Sequence, residues 1–407
     1  MNVLHINTRL NLGGAAIAAE RLHCGLKKMG CESSFIVGHP DGLDDNILQV
    51  PYDWRTKYLH RVLPLSGLNY LEYLGSFKIQ DMELYKSADV VNLHNLHRDY
   101  FSYLSLPRLT KGKPTVWTLH DMWAFTGHCA YSFDCKKWGT GCGQCPYPMT
   151  YPAIKRDATN LEWRLKKHIY SQSKITVVTT SKWLENNAKS SILSKHFPII
   201  RIPHGICTET YKPLDRQMCK EVLNITKNKI VLMFAAVDIT DYRKGGDLLL
   251  TALNALPESL KSDIVLLIMG AGGNIHKSLN NMESIFLGYV AADNLKNICY
   301  NAADIFLFPT RADIWSLVVQ EAMACGTPSI AFDVGGVSDL VRPRVTGLLA
   351  SDNNALEMQD AIIEMIGDDE LRATLAENCR RISMSEYDIK LQASRYIKLY
   401  EYLKINS

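Results

Sequence analysis

Short, nearly continuous apolar runs recur along this chain, separated by segments whose apolar positions repeat at helical spacing. Residues 3–7, 34–37, 89–93, 115–119, 175–179 and 199–202 read as strands in the first half. In the second half, 230–237, 264–269, 285–287, 304–309 and 329–332 do the same. Strands apolar at every position are covered on both faces, which is the habit of parallel sheets. Between them, 15–29 predicts a helix closed by Gly30, 245–256 another, and 317–325 a third closed by Gly326. Residues 387–403 predict a long amphipathic helix at the end. Pro203-His204-Gly205 breaks the pattern before it restarts, so a domain boundary is expected there.

The length of 407 residues exceeds one ordinary core and suits two domains. With 47% hydrophobic and 21% charged residues, a disordered chain is excluded. The apolar runs at 230–237 and 264–270 fall well short of the roughly 20 residues that span a bilayer. Residues 1–10 lack a signal-peptide core. The expectation is a cytoplasmic protein, attached to a membrane at most peripherally. Charge is uneven: residues 1–205 carry 25 Lys and Arg against 16 Asp and Glu, the remainder 20 against 26. A basic first half suits an anionic partner such as a phospholipid surface or a lipid-linked diphosphate, scattered solvated charge being the plainer alternative. No basic–aromatic pattern points to nucleic acid.

Ligands of doubly wound sheets bind at the carboxyl ends of the strands, so polar residues directly after strands carry the functional reading. In residues 302–328 a buried strand leads into a loop with Asp313, and Glu321 follows on the next helix with seven residues between. Paired carboxylates can accept hydrogen bonds from a ribose or sugar diol, and the helix start beside Trp315, Ser316 and Leu317 offers free N–H groups to phosphate. Arg243-Lys244-Gly245-Gly246 follows another strand, where basic side chains could hold a diphosphate. Gly270-Ala271-Gly272-Gly273 and Tyr289 follow two more, as candidates for close backbone approach and a nucleobase contact. In the first half, Gly13-Gly14 follows the first strand, but without the third glycine of a dinucleotide fingerprint. His120 sits in Thr118-Leu119-His120-Asp121-Met122-Trp123, with Asp121 orienting it or capping the next turn. His94, Asn95 and His97 end a neighbouring strand and are candidates for an acceptor pocket. Cys129, Cys135, Cys142 and Cys145 have C-x5-C-x6-C-x2-C spacing, which suits a structural zinc or a set of reduced thiols.

The stretch from Asp313 through Glu321-Ala322-Met323-Ala324-Cys325-Gly326-Thr327-Pro328 resembles the signature of glycosyltransferase family 4, retaining enzymes of the GT-B fold. The Cys-rich insertion at 128–146, after the His-Asp pair, resembles that of some bacterial exopolysaccharide or colanic-acid-type members. The resemblance implies an α/β architecture of two facing Rossmann-like doubly wound domains. Residues 1–204 would bind the acceptor, 205–385 the nucleotide-sugar donor, and the helix at 386–407 would return to the first domain.

By the same resemblance Glu321 holds the donor ribose. Asp313, Trp315, Ser316 and Leu317 lie near the sugar and phosphates. Lys244 stabilises the leaving diphosphate, Gly13 and Gly14 admit donor phosphate, and His120 faces the transferred sugar once the domains close. Val345 to Leu349 would form a short closing hairpin. Two departures stand out: the first acid is Asp313 rather than the commoner Glu, and Asp238 occupies a place where the family often has Arg, so that Arg243 would substitute. The implied reaction moves a sugar from a nucleoside diphosphate sugar to a glycan or lipid-linked glycan hydroxyl without a catalytic metal. A non-catalytic subunit of the same fold and a nucleotide-sugar 2-epimerase are the alternatives.

Overall fold

Each half of the chain folds around one wholly parallel sheet in a computed structural model that describes residues 1–40, 46–272 and 279–406. The chain divides into two units, Met1–Gly205 together with Ile389–Ser407, and Ile206–Asp388.

The first sheet comprises β1 (Asn2–Asn7), β2 (Glu32–Val37), β3 (Ile47–Gln49), β4 (Val90–Leu93), β5 (Thr115–Thr118), β6 (Thr176–Thr179) and β7 (Ile199–Arg201). Their order is β3-β2-β1-β4-β5-β6-β7. The chain winds outward from β1 in one direction and then restarts at β4 on the other side. This places a switch point between β1 and β4, the crevice where such sheets hold ligands. β4, β5 and β6 are buried at every position, as their apolar runs require. The final helix, Ile389–Ile405, belongs to this unit. Its Tyr400 hydroxyl accepts a hydrogen bond from Asn92 at 2.8 Å, and Tyr396 bonds Thr118 at 2.9 Å. The helix thus satisfies two polar side chains that the central strands bury.

The second sheet comprises β8 (Ile230–Asp238), β9 (Ile264–Ala271), β10 (Glu283–Phe286), β11 (Ile305–Phe308), β12 (Ser329–Phe332) and β13 (Gly347–Ala350), in the order β10-β9-β8-β11-β12-β13. Its switch point lies between β8 and β11. Of the expected hairpin at 345–349, Val345 and Thr346 lie in a turn and 347–349 join an edge strand, since β13 pairs with β12 in parallel along four residues. A run this short carries little pattern of its own. β3 was missed for the same reason: three residues, none fully buried, added to the edge beside β2. Among the described residues, no helix is long and apolar enough to cross a membrane.

Candidate active site

In the second unit, the loops after β8 and β11 meet at the switch point. The turn carrying Arg243 and Lys244 is pressed against the end of β11: a Cβ on Gly245, whose φ is +70°, would lie 1.8 Å from the Pro309 carbonyl oxygen. Only glycine fits that contact and that conformation. Asp241 caps the turn by accepting from the Arg243 N–H at 2.9 Å. The turn delivers Lys244 Nζ to 3.0 Å from Asp313 Oδ2 and Arg243 to 3.4 Å from the same oxygen. Burial pushes the Asp313 carboxyl up, but the Lys244 and Arg243 charges outweigh it and hold the group below the usual carboxylate range. Burial and the Arg243 charge together lower Lys244, against the pull of Asp313. The other Asp313 oxygen accepts from the Trp315 N–H at 3.2 Å. Behind it, a Cβ on Gly335 would lie 2.0 Å from the Asp313 carbonyl, so the 335–336 turn clamps the Asp313 backbone.

Ser316 caps the helix Leu317–Ala324, accepting from the Val319 N–H at 3.2 Å. The N–H groups of the first turn have no carbonyl one turn earlier to bond, and two cations stand nearby. One turn along, Glu321 is buried, and its Oε2 accepts from the Tyr300 hydroxyl at 2.8 Å. Trp315 is buried with its ring edge-on to Tyr387. Tyr289 is 47% exposed just beyond β10, open to a ligand. Gly270 has a packing reason: its Cβ would strike the Ala236 carbonyl at 2.1 Å. Gly273 lies outside the described residues. Asp238 turns back on its own loop, accepting from the Thr240 N–H and hydroxyl at 2.8 and 2.6 Å.

In the first unit, Gly13 and Gly14 open the helix Gly14–Lys28 after β1, and a Cβ on either would meet nothing within 4 Å. His120 directly follows β5 and is partly buried. Its Nε2 lies 2.9 Å from His94 Nδ1, and its ring stacks on His204 at 5.1 Å between centroids. Burial is the main reason its pKa falls to about 4, so it is neutral at pH 7. Asp121 does not orient His120. It caps the following turn through the Trp123 N–H at 2.8 Å and pairs with His97 Nε2 at 2.7 Å.

His94, Asn95, His97 and the four clustered cysteines all belong to the first unit. His94 and His97 are both buried, and both ring nitrogens of each are engaged. His94 bridges His5 and His120, while His97 bridges Asp121 and Tyr151. Asn95 is partly buried, with its carbonyl accepting from Thr8 and Tyr100. The four cysteines do not form the tetrahedral cage their spacing suggested. Among the described residues, no group of three or more His, Cys, Asp or Glu side chains is arranged to hold a metal ion. Cys142 instead accepts from the Gly127 N–H at 3.2 Å, and Cys145 Sγ meets His128 Nε2 at 3.2 Å. Burial pushes Cys129 up to about 12 and Cys142 to about 11, which keeps both as thiols.

Several supporting residues escaped the sequence reading. Tyr300 anchors Glu321 from the helix Asp293–Ala302, 21 positions away. His5, on β1, extends the histidine row behind His94. Lys166 is wholly buried, donates to the Trp123 and Thr126 carbonyls at 2.7 and 3.0 Å, and lies 3.6 Å over the Trp123 ring. Burial lowers its pKa to about 8. It fastens the segment that follows His120. None had a local signal, because each partner is distant in sequence.

Two doubly wound parallel sheets, each with polar side chains gathered at its switch point, place this chain among α/β proteins that hold ligands at the carboxyl ends of their strands. The comparisons make the assignment specific. Residues 215–382 match the family Glycosyl transferases group 1, and residues 12–210 match Glycosyltransferase Family 4. The chain therefore belongs to the family 4 glycosyltransferases, and it is an enzyme of the transferase class. It is 24% identical over 429 aligned positions to a putative colanic acid biosynthesis glycosyl transferase of Escherichia coli, covering 99% of this chain and 100% of the relative. Among solved structures it is similar to sucrose-phosphate synthase from Thermosynechococcus elongatus, with TM-score 0.73, 20% identity and full coverage of both chains. It is also similar to the Anabaena protein HepE in complex with UDP, with TM-score 0.69, 16% identity, and coverage of 99% of this chain and 100% of that one. These likenesses fix the GT-B fold.

Proposed function

We propose that this enzyme transfers a sugar, with retention of anomeric configuration, from a nucleoside diphosphate sugar to a hydroxyl of a glycan or lipid-linked glycan in polysaccharide assembly. The observation that carries the reading is the convergence of Lys244 and Arg243 on Asp313 beside the Ser316-capped helix start. Two half-buried cations held ready beside free N–H groups favour the charge that develops on a departing diphosphate. Glu321, fixed by Tyr300, takes the ribose diol, and Tyr289 lies beside the base. In the first unit, Gly13 and Gly14 leave room over their backbone for phosphate. His120, neutral and partly open, hydrogen-bonds a hydroxyl at the reacting centre. The names of relatives support this reading: the E. coli relative is named for colanic acid synthesis, and HepE was also crystallised with UDP-glucose.

The deciding experiment is a thermal-shift panel of the protein with UDP, GDP, ADP, CMP and their common sugars. One nucleotide should stabilise it selectively, with the shift lost in Glu321→Ala. A shift that survives in Glu321→Ala overturns the ribose assignment, and no shift with any nucleotide overturns the donor reading.

A membrane-bound acceptor fits one further surface. Along and just before the helix Thr56–Ser66, Trp54, Tyr58, Val62 and Leu65 fall at helical spacing and are each 60% or more exposed. Lys57 and Arg61 are exposed beside this stripe. An apolar stripe edged by cations fits an anionic lipid surface. The protein should therefore co-sediment with vesicles containing phosphatidylglycerol but not with pure phosphatidylcholine. Tyr58→Glu combined with Val62→Glu should abolish this, and binding that survives the double variant would refute the surface.

A further inference from the structure

Three imidazoles stand in a row inside the first unit. His5 projects from β1, His94 follows β4 and His120 follows β5, so adjacent positions in the strand order bring them together. His5 Nδ1 is 2.9 Å from His94 Nε2, and His94 Nδ1 is 2.9 Å from His120 Nε2. The ring centroids step by 5.2 and 5.1 Å, with interplanar angles of 27° and 29°. Phe35 stacks on His5 at one end, and His204 stacks on His120 at the other. His5 and His94 are fully buried, and only His120 reaches the surface.

A neutral imidazole carries one N–H and one lone pair. His94 is in contact through both nitrogens, so it donates through one and accepts through the other. The whole row must then be polarised in one direction: its protons point either towards His5 or towards His120. The far end decides which. His5 Nε2 is buried with no hydrogen-bond partner among the described residues. Were the protons directed towards His5, that nitrogen would carry an orphaned N–H in a dry interior, a rare arrangement in native proteins. The opposite direction leaves only a lone pair there. It also places the last N–H on His120 Nδ1, at the one ring with access to solvent or ligand.

We infer that His5 and His94 are positioning residues that lock His120 in its Nδ1–H form, so that it faces the reacting centre as a hydrogen-bond donor and not as a base. The polarity rests on the row alone; its effect on turnover rests on the role proposed above for His120. Burial keeps all three rings neutral near pH 7, which the device requires.

The test is long-range 1H–15N correlation spectroscopy of the uniformly 15N-labelled full-length protein. In the wild type, His120 Nδ1 should resonate as protonated and Nε2 as an unprotonated acceptor. In His94→Phe, which keeps a ring but removes the donor, His120 should revert towards the Nε2–H form that free imidazole prefers. His94→Asn, whose amide can replace the Nδ1–H donor, should retain the wild-type pattern. Turnover should fall at least about tenfold in His94→Phe and recover in His94→Asn, with donor affinity unchanged; at a catalytic histidine elsewhere, a wrong tautomer costs up to about 10⁴. A protonated Nε2 on His120 in the wild type would overturn the inference without any variant having to fold. So would an unchanged His120 spectrum in His94→Phe. If the spectra behave as expected while His120→Ala keeps full turnover, the lock stands and the role proposed for His120 falls.

Discussion

The two units solve the same problem, placing polar groups at the switch point of a parallel sheet, with opposite electrostatics. In the second unit the centre is ionic: Asp313 gathers Lys244 and Arg243, and all three are partly or wholly buried. In the first it is neutral: a row of imidazoles that burial keeps uncharged, down to about 3 at His5 and about 4 at His120. Of the twelve histidines, only His276 falls within residues 206–388. Charged groups suit a site that binds an anion and stabilises a departing one, whereas neutral donors suit a site that orients hydroxyls without repelling or trapping them. The division of labour proposed here follows from that contrast.

The largest effects should come from separating the two centres. Lys244→Ala removes a preorganised cation and should lower turnover by about 10²–10³, the usual cost of losing one group that stabilises transition-state charge. Glu321→Ala should weaken nucleotide binding beyond detection in calorimetry. His120→Ala should lower turnover by about 10²-fold, within the range of a single positioned polar group, while nucleotide affinity stays at the wild-type value. If His120→Ala weakens nucleotide binding as much as Glu321→Ala does, the contrast between a donor-binding and a hydroxyl-orienting centre collapses.

Acid should distinguish the units next. His5, His94, His120 and His204 all have lowered pKa values, chiefly through burial. In the unfolded chain each takes up a proton near pH 6.5, while in the fold it does not until about 3 to 4 at His5 and His120. The unfolded state thus binds more protons throughout that window, and stability falls as pH drops from about 6.5. Glu162, raised to about 6 by burial, opposes this, but it is one group against six, since burial also lowers His128 and His196. The melting temperature should therefore fall between pH 7 and pH 5, with the first unit unfolding first. His5→Phe should flatten the dependence. A melting temperature unchanged over that range would mean that the row is charged or solvated.

The contrast also explains what could be read from the sequence. The proposed donor centre was legible because each of its parts carries a local signal: Asp313, Ser316 and Glu321 fall within nine residues, and Lys244, although 69 positions from Asp313, sits in a turn marked by glycines. The other centre was legible only at His120. His5 looked like one polar residue in an apolar strand, and His94 like a loop residue open to ligand. Their pairing comes from strand order, which brings residues 89 and 26 positions apart into contact, and spacing along the chain does not encode that. The cysteines show a local pattern that left two readings open, a structural zinc or reduced thiols, and the fold brings two of the four against Gly127 and His128.

The smallest effect tests whether the donor centre is as local as it looked. Tyr300 is fully buried and donates to Glu321 across 21 positions, a support with no local signal of its own. Tyr300→Phe removes a single hydroxyl and leaves the ring packed between Tyr211 and Phe306. Burial and the neighbouring Glu321 charge both raise the Tyr300 pKa far above its ordinary value, so the hydroxyl is always a donor. Its loss leaves a buried carboxylate oxygen short of a partner, at a cost of about 1–3 kcal/mol in stability. Glu321 remains in place with one anchor fewer, and nucleotide affinity should fall about three- to tenfold, far less than in Glu321→Ala. Calorimetry on the two variants side by side checks this. Equal losses would make Tyr300 part of the ribose grip itself. A stability loss with unchanged affinity would show that Glu321 is held by its own helix, and that the donor centre is local after all.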